Sequence, residues 1–306
     1  MTAFVFPGQG SQFVGMSKDF FDNFKVARDV FDLISDTTKI NIKAIIFDNN
    51  SNLLDQTRYT QLSIFCTSIS IFEVLKKEVD LDKLDINFML GHSLGEYTSL
   101  SAANILSIKD CSFLLKIRGE LMQKAYEPNK SSMAAIIGVD CNEAEKIIDK
   151  NNLKIDIAND NSPLQIVISG LKEDLLESEN IFKANGIKKF ILLNVSAAFH
   201  SYLMNEAQEK LIGYINNINF NNSSISIISN YTGKVCNVKK EIIQNLCNQM
   251  SNRVRWVESI STLERLNILN IIEIGPGKVL SGLIKRTSNK FNIKNIETIQ
   301  DIEKLL

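Results

Sequence analysis

Ser93 stands between two glycines in Gly91-His92-Ser93-Leu94-Gly95, a GxSxG pattern. In such an elbow the glycines let a strand turn sharply into a helix, and the serine side chain is pushed out at the strand's carboxyl end. A serine hydroxyl is a weak nucleophile until a neutral imidazole takes its proton, so the pattern calls for a histidine. The chain holds only two, His92 and His200. His92 adjoins the serine, and neighbouring side chains at a sharp turn point apart, which leaves His200 as the expected base. Arg118 is the third residue of interest. In the helix that follows Lys109, residues Cys111, Leu114, Leu121, Met122 and Ala125 share one stripe, and Arg118 falls in the middle of it. A guanidinium on an inward face needs an anion, and its planar fork suits a carboxylate, supplied either by the protein or by a bound substrate. At this point a structural ion pair and a ligand role both fit.

The loop Pro7-Gly8-Gln9-Gly10-Ser11-Gln12 invites a phosphate-binding reading but fails both usual templates. It lacks GxxxxGK[ST], and Phe13 stands where the dinucleotide fingerprint needs a third glycine. A backbone N–H from this loop, with the N–H that follows Ser93, could instead form an oxyanion hole.

These residues depend on the elements that carry them. Three segments share one grammar of short apolar strand, glycine-rich loop and helix. They are Phe4-Val5-Phe6 before the Pro7 loop, Phe88-Met89-Leu90 before Gly91, and Ile271 to Ile274 before Gly275-Pro276-Gly277-Lys278. Such alternation predicts a parallel sheet covered on both faces, with ligands held outside the carboxyl ends of its strands. The three loops therefore face one crevice. Residues 131–195 read differently, as strand Met133 to Ile137, helix Asn142 to Lys150, strands Leu153 to Ile157 and Gln165 to Ser169, helix Glu173 to Asn185, and strand Phe190 to Val195. The predicted fold is α/β: a parallel-sheet, hydrolase-like core formed by residues 1–130 and 196–306, with an inserted ferredoxin-like (βαββαβ) subdomain at 131–195. His200 lies after the last of these strands, just before an amphipathic helix spanning Tyr202 to Ile215.

The composition excludes several classes. With 306 residues and a net charge of -1, the chain has no global basic field for nucleic acid. No apolar run is long enough to span a bilayer, and no signal peptide is read at the N-terminus. The five cysteines, Cys66, Cys111, Cys141, Cys236 and Cys247, are scattered and never form a CxxC pair, so neither a disulfide framework nor a metal site is expected. Reduced thiols in a cytoplasmic protein are the expectation. Lys278, Lys285, Arg286, Lys290 and Lys294 make the C-terminal stretch basic, read here as an ordinary solvated face. The high Asn, Ile and Lys content is read as background composition.

Taken together, these motifs make the chain similar to the malonyl-CoA:acyl carrier protein transacylase family, the discrete acyltransferases of type II fatty acid synthesis. The match rests on Phe6-Pro7-Gly8-Gln9-Gly10-Ser11-Gln12, Gly91 to Gly95, Lys116-Ile117-Arg118-Gly119, Ala197-Ala198-Phe199-His200-Ser201, Gln249 before Val254-x-Trp256, and Glu273 to Leu280. The resemblance implies ping-pong transfer of a malonyl group from malonyl-CoA to the phosphopantetheine thiol of holo-acyl carrier protein. In it Ser93 is the nucleophile and His200 the base and then the acid. The backbone N–H groups of Gln9 and Leu94 hold the oxyanion, Arg118 clamps the malonyl carboxylate, and the backbone carbonyl of Gln249 orients His200 in place of a triad acid. Phe199 matches an aromatic that accompanies preference for malonyl over branched units. No permanently bound cofactor or metal, no nucleic acid or membrane partner, and a monomer are implied. Ala198 and Arg253 depart from the family, which commonly has proline at both positions.

Two other readings compete. An α/β-hydrolase esterase shares GxSxG and a histidine, but its acid lies between serine and histidine and its histidine comes near the C-terminus. Here no such acid can be picked out, a long stretch follows His200, and Arg118 would have no role. A catalytically silent scaffold for acyl carrier protein would have no need of Ser93 and His200.

Overall fold

The computed structural model describes residues 1–49 and 52–305. The ten strands among the described residues are β1 (Thr2–Phe6), β2 (Ile86–Gly91), β3 (Ser131–Ile137), β4 (Ile155–Ser162), β5 (Gln165–Leu171), β6 (Lys189–Leu192), β7 (Ser226–Ile228), β8 (Val235–Cys236), β9 (Asn270–Ile274) and β10 (Asn292–Ile296). They form two sheets, ordered β10-β9-β1-β2-β7-β8 and β4-β5-β3-β6.

The first sheet is parallel except for β8, which runs antiparallel to β7. Every residue of β1 is buried, as befits a strand covered on both faces. Side chains alternate across the pleat, so Phe4 and Phe6 enter the core beneath helices Thr57–Glu78, Leu94–Ala102 and Ile108–Lys124, while Ala3 and Val5 pack with Trp256, Ile260 and Leu280 on the opposite face. The register sets Phe6 beside Gly91 and Val5 beside Glu273. The three glycine-rich loops thus leave the sheet along one edge, as the sequence predicts. They pack closely: a Cβ on Gly8 would lie 2.6 Å from the His92 carbonyl oxygen, and one on Gly275 would lie 2.8 Å from Pro7.

The second sheet is wholly antiparallel and is built from the four strands between Ser131 and Leu192. With helices Cys141–Lys150 and Lys172–Ala184 it encloses its own apolar cluster around Ile136, Ile166, Ile168 and Phe182. The strand order and the helix after each of the first and third strands are those of the βαββαβ unit. Several boundaries differ from expectation: β4 runs from Ile155 to Ser162 instead of Leu153 to Ile157, and β6 ends at Leu192 instead of Val195, with Leu193, Val195 and Ser196 lining the groove described below. The basic C-terminal stretch is solvated, as expected: Lys278, Lys285, Arg286, Lys290 and Lys294 are all exposed. Lys285 and Arg286 lie in the last turn of helix Val279–Thr287, and Lys294 belongs to β10, an edge strand that its polar sequence does not announce. The predicted helix at Tyr202 begins as a 3-10 turn, Tyr202–Met204, before the α-helix Asn205–Ile215.

The antiparallel sheet is tied at β4 to the segment that precedes helix Trp256–Arg265. The Asp160 N–H donates to the Val254 carbonyl at 3.0 Å and the Val254 N–H donates to Ala158 at 2.8 Å. Among the described residues no helix is long and apolar enough to cross a membrane.

Candidate active site

Ser93 occupies the junction of β2 and helix Leu94–Ala102 with φ 53° and ψ -109°, a conformation that costs free energy for a residue with a side chain. Its surroundings hold it there. The Ser93 N–H donates to Asn230 Oδ1 at 2.7 Å, its carbonyl accepts from Gln249 Nε2 at 2.8 Å, and Asn230 Nδ2 in turn donates to the Gly91 carbonyl at 2.7 Å. Glycine is required on both sides for steric reasons. A Cβ on Gly91 would lie 2.0 Å from the backbone carbon of Gly95, and one on Gly95 would lie 2.1 Å from the Phe6 oxygen.

Ser93 Oγ lies 2.8 Å from His200 Nε2. The other ring nitrogen, Nδ1, lies 3.0 Å from the Gln249 carbonyl and 3.1 Å from that of Asn252. Carbonyl oxygens only accept, so Nδ1 carries the hydrogen and Nε2 is left with the lone pair that can take the serine proton. Burial, then the positive charge of Arg118 and the neighbouring His92, push the imidazole down to about 3, which keeps it in the neutral form whose lone pair can accept a proton. Among the described residues no carboxylate contacts His200, which removes the acid that the hydrolase reading requires.

Arg118 is 0% exposed. Its Nη1 donates to Gln61 Oε1 at 2.6 Å, and its Nη2 donates to Gln249 Oε1 at 2.9 Å and to Ser93 Oγ at 3.0 Å. The guanidinium also lies over the Tyr97 ring, 5.3 Å from its centroid. Every one of these partners is neutral, and Nε has none. The alternatives left open by the sequence are thereby narrowed: among the described residues no Asp or Glu forms an ion pair with this buried cation.

A cavity of about 110 Å³ opens at Ser93 and is bounded by Gln9, Leu94, Arg118, Met122, Phe199 and His200. It shares Gln9, His92, Asn159, Leu193 and Val195 with a groove of about 790 Å³ that runs between the two sheets. The backbone N–H groups of Gln9 and Leu94 donate to no acceptor among the described residues. A still larger hollow, about 950 Å³, is lined by Gln123 to Pro128 and Glu173 and contains neither Ser93 nor His200. It plays no part in the chemistry of the elbow.

Sequence reasoning assigned no role to several members of this site. His92 turns away from Ser93, bonds Asn161 Oδ1 through Nε2 at 2.8 Å and packs against Trp256, with ring centroids 5.7 Å apart. Asn161, Asn230 and Asn252 all serve here, although asparagine was read as background composition. Gln249 was singled out for its carbonyl, yet its side chain is equally engaged. Glu96, one turn beyond Ser93, accepts from Gln249 Nε2 at 2.8 Å and is buried. A carboxylate in the otherwise small and apolar run after Gly95 was the signal that could have found it. The two departures from the family pattern are also accounted for: the Ala198 N–H donates to Ser131 Oγ at 3.2 Å, a bond proline could not make, and Arg253 Nη1 reaches Glu145 Oε1 at 2.6 Å.

The acyl transferase domain family matches residues 3–304 of the chain. The malonyl CoA-acyl carrier protein transacylase of Bacillus subtilis (strain 168) is 37% identical over 305 residues, covering 98% of this chain and 95% of that protein. The same-named protein of Staphylococcus aureus (strain COL) is 34% identical, covering 99% and 97%. Among solved structures, an acyl-carrier-protein S-malonyltransferase from Bartonella henselae superposes with a TM-score of 0.95 at 35% identity, covering 100% of this chain and 98% of that one. A malonyl-transacylase in complex with a type II PKS acyl-carrier protein superposes with a TM-score of 0.94 at 31% identity, covering 100% and 98%.

Proposed function

The chain belongs to the acyl transferase family, among the malonyl CoA-acyl carrier protein transacylases, and from that membership we propose that it transfers the malonyl group of malonyl-CoA to the phosphopantetheine thiol of holo-acyl carrier protein in fatty acid synthesis. One observation carries the choice of acyl group. A fully buried guanidinium with only neutral partners stands 3.0 Å from the nucleophile, and the free carboxylate of a malonyl thioester supplies the missing anion.

In the first half-reaction Ser93 Oγ attacks the thioester carbonyl as its proton passes to His200 Nε2. The tetrahedral oxyanion is held by the Gln9 and Leu94 N–H groups, which border the same cavity and are otherwise unengaged. Collapse breaks the carbon–sulfur bond, the departing coenzyme A thiolate takes the proton from His200, and a malonyl-serine ester remains. In the second half-reaction the carrier thiol gives its proton to His200 and attacks that ester, and Ser93 regains a proton as it leaves. The imidazolium formed in each half is stabilised by the Gln249 and Asn252 carbonyl dipoles. Phe199, with Met122 and Met133, gives the cavity an apolar wall against the malonyl methylene, and a methyl branch there is disfavoured by about 1–3 kcal/mol.

This reaction needs no resident metal or cofactor. We take the enzyme to act in the cytoplasm as a monomer, and its free cysteines fit a reducing compartment. Incubation with malonyl-CoA alone, followed by intact-protein mass spectrometry, is expected to show one malonyl group on Ser93. Equal labelling of Ser93→Ala, or none of the wild type, would overturn the mechanism.

A further inference from the structure

Gln249 sits between the buried guanidinium of Arg118 and the buried carboxyl group of Glu96. Its Oε1 accepts from Arg118 Nη2 at 2.9 Å, and its Nε2 donates to Glu96 Oε2 and to the Ser93 carbonyl, both at 2.8 Å. The amide has only one workable orientation, because the Ser93 carbonyl can only accept and the Arg118 guanidinium can only donate. Flipping it would set oxygen against oxygen on one side and N–H against N–H on the other. Glu96 is itself anchored, since its Oε2 also accepts from the Asn230 N–H at 3.3 Å, and Asn230 holds the Ser93 N–H.

We infer that Glu96, acting through the Gln249 amide, is a positioning residue that fixes how Arg118 is presented to an anionic acyl group. Glu96 touches neither the reacting atoms nor Arg118. Its carboxylate holds the Gln249 nitrogen, which turns the amide oxygen toward Arg118 and restrains one arm of the fork, while Gln61 restrains the other. The remaining donor capacity of the guanidinium is thereby aimed at the cavity. The same amide nitrogen steadies the strained Ser93 peptide, so clamp and nucleophile share one support. The inference rests on the reading of Arg118 as the carboxylate clamp.

The test compares acylation by malonyl-CoA with acylation by acetyl-CoA, which has no carboxylate for Arg118 to hold. Glu96→Leu is expected to lower the malonyl-to-acetyl ratio of kcat/KM about tenfold, the scale of one hydrogen bond to a charged group. Glu96→Gln, which keeps an acceptor for the Gln249 nitrogen, is expected to restore most of the ratio. Gln249→Leu, which keeps the backbone carbonyl behind His200, is expected to match Glu96→Leu, and the double variant to fall no further than either. Equal losses with both acyl donors, or additive losses in the double variant, would overturn the inference. Arg118→Ala separates the two readings: if it shifts the ratio and Glu96→Leu does not, only the inference fails, and if it leaves the ratio unchanged, both fail. Should Glu96→Leu not fold, Glu96→Asp, which withdraws the carboxylate by one methylene, is read on the same ratio.

Discussion

The backbone carbonyl of Gln249 lies 3.0 Å from His200 Nδ1, while the side chain of the same residue bonds Arg118, Glu96 and the Ser93 carbonyl. One glutamine therefore supports the base, the buried cation and the nucleophile's own peptide. A carboxylate behind the histidine would also have compensated Arg118 and blunted its attraction for a ligand. A carbonyl orients the imidazole without doing so.

Arg118→Ala is expected to reduce malonyl transfer by at least about a hundredfold, the scale of a lost charge-assisted contact in a dry site, while acetyl transfer changes far less. Steady-state kinetics with the two coenzyme A thioesters measure this. A parallel loss of both would remove the carboxylate role.

The acid limb of acylation is expected well below the usual histidine range, since His200 is pushed down to about 3 by burial, by Arg118 and by His92. The neutral imidazole is the active form, so the rate stays flat as pH falls through 6.5. Glu96 is pushed up to about 7, chiefly by burial, so the profile is best taken in Glu96→Gln as well. An inflection near 6.5 that survives this substitution would show that His200 titrates normally.

Glu96 also makes stability depend on pH. Its folded value of about 7 exceeds the ordinary 4.5, so its contribution is full below 4.5 and is lost as pH rises through about 7. Relative to wild type, Glu96→Gln should gain stability between pH 4.5 and 8, by up to about 3 kcal/mol. Urea denaturation at pH 5 and pH 8 tests this, and a difference independent of pH would refute it.

Gly91→Ala is expected to destabilise the fold by about 3 kcal/mol or more, because the new methyl would meet the backbone of Gly95 at 2.0 Å and no side chain can yield. Gly213→Ala supplies the contrast. It sits exposed in helix Asn205–Ile215 with nothing within 4 Å of the added methyl, and should stabilise by about 0.5–1 kcal/mol. Similar melting temperatures for the two variants would contradict the steric account of the elbow.

The elbow, the three loops and the order of strands from Ser131 to Leu192 were legible because each has a local signature of glycines, apolar runs and turn residues. Arg118 was legible because a charge in an apolar stripe breaks periodicity. β7, β8 and β10 were not, since they are short or polar and owe their existence to partners distant in sequence. Asn161, Asn230 and Asn252 were hidden for a different reason. In a chain rich in asparagine, the few that brace the site look like all the others, and only their three-dimensional partners distinguish them.

The link between the antiparallel sheet and the Val254 segment bears on how a substrate gets in. Ala158 and Asp160 bond Val254 from one sheet, and two residues earlier Asn252 presents its carbonyl to His200. Any tilt of the antiparallel sheet that widened the groove would pull on this short tether and drag the imidazole off Ser93. Entry by clamshell motion would thus disarm the enzyme at each opening. On this geometry the long thin arm shared by coenzyme A and the carrier protein is expected to thread a mouth that stays put, like a key passed through a fixed slot.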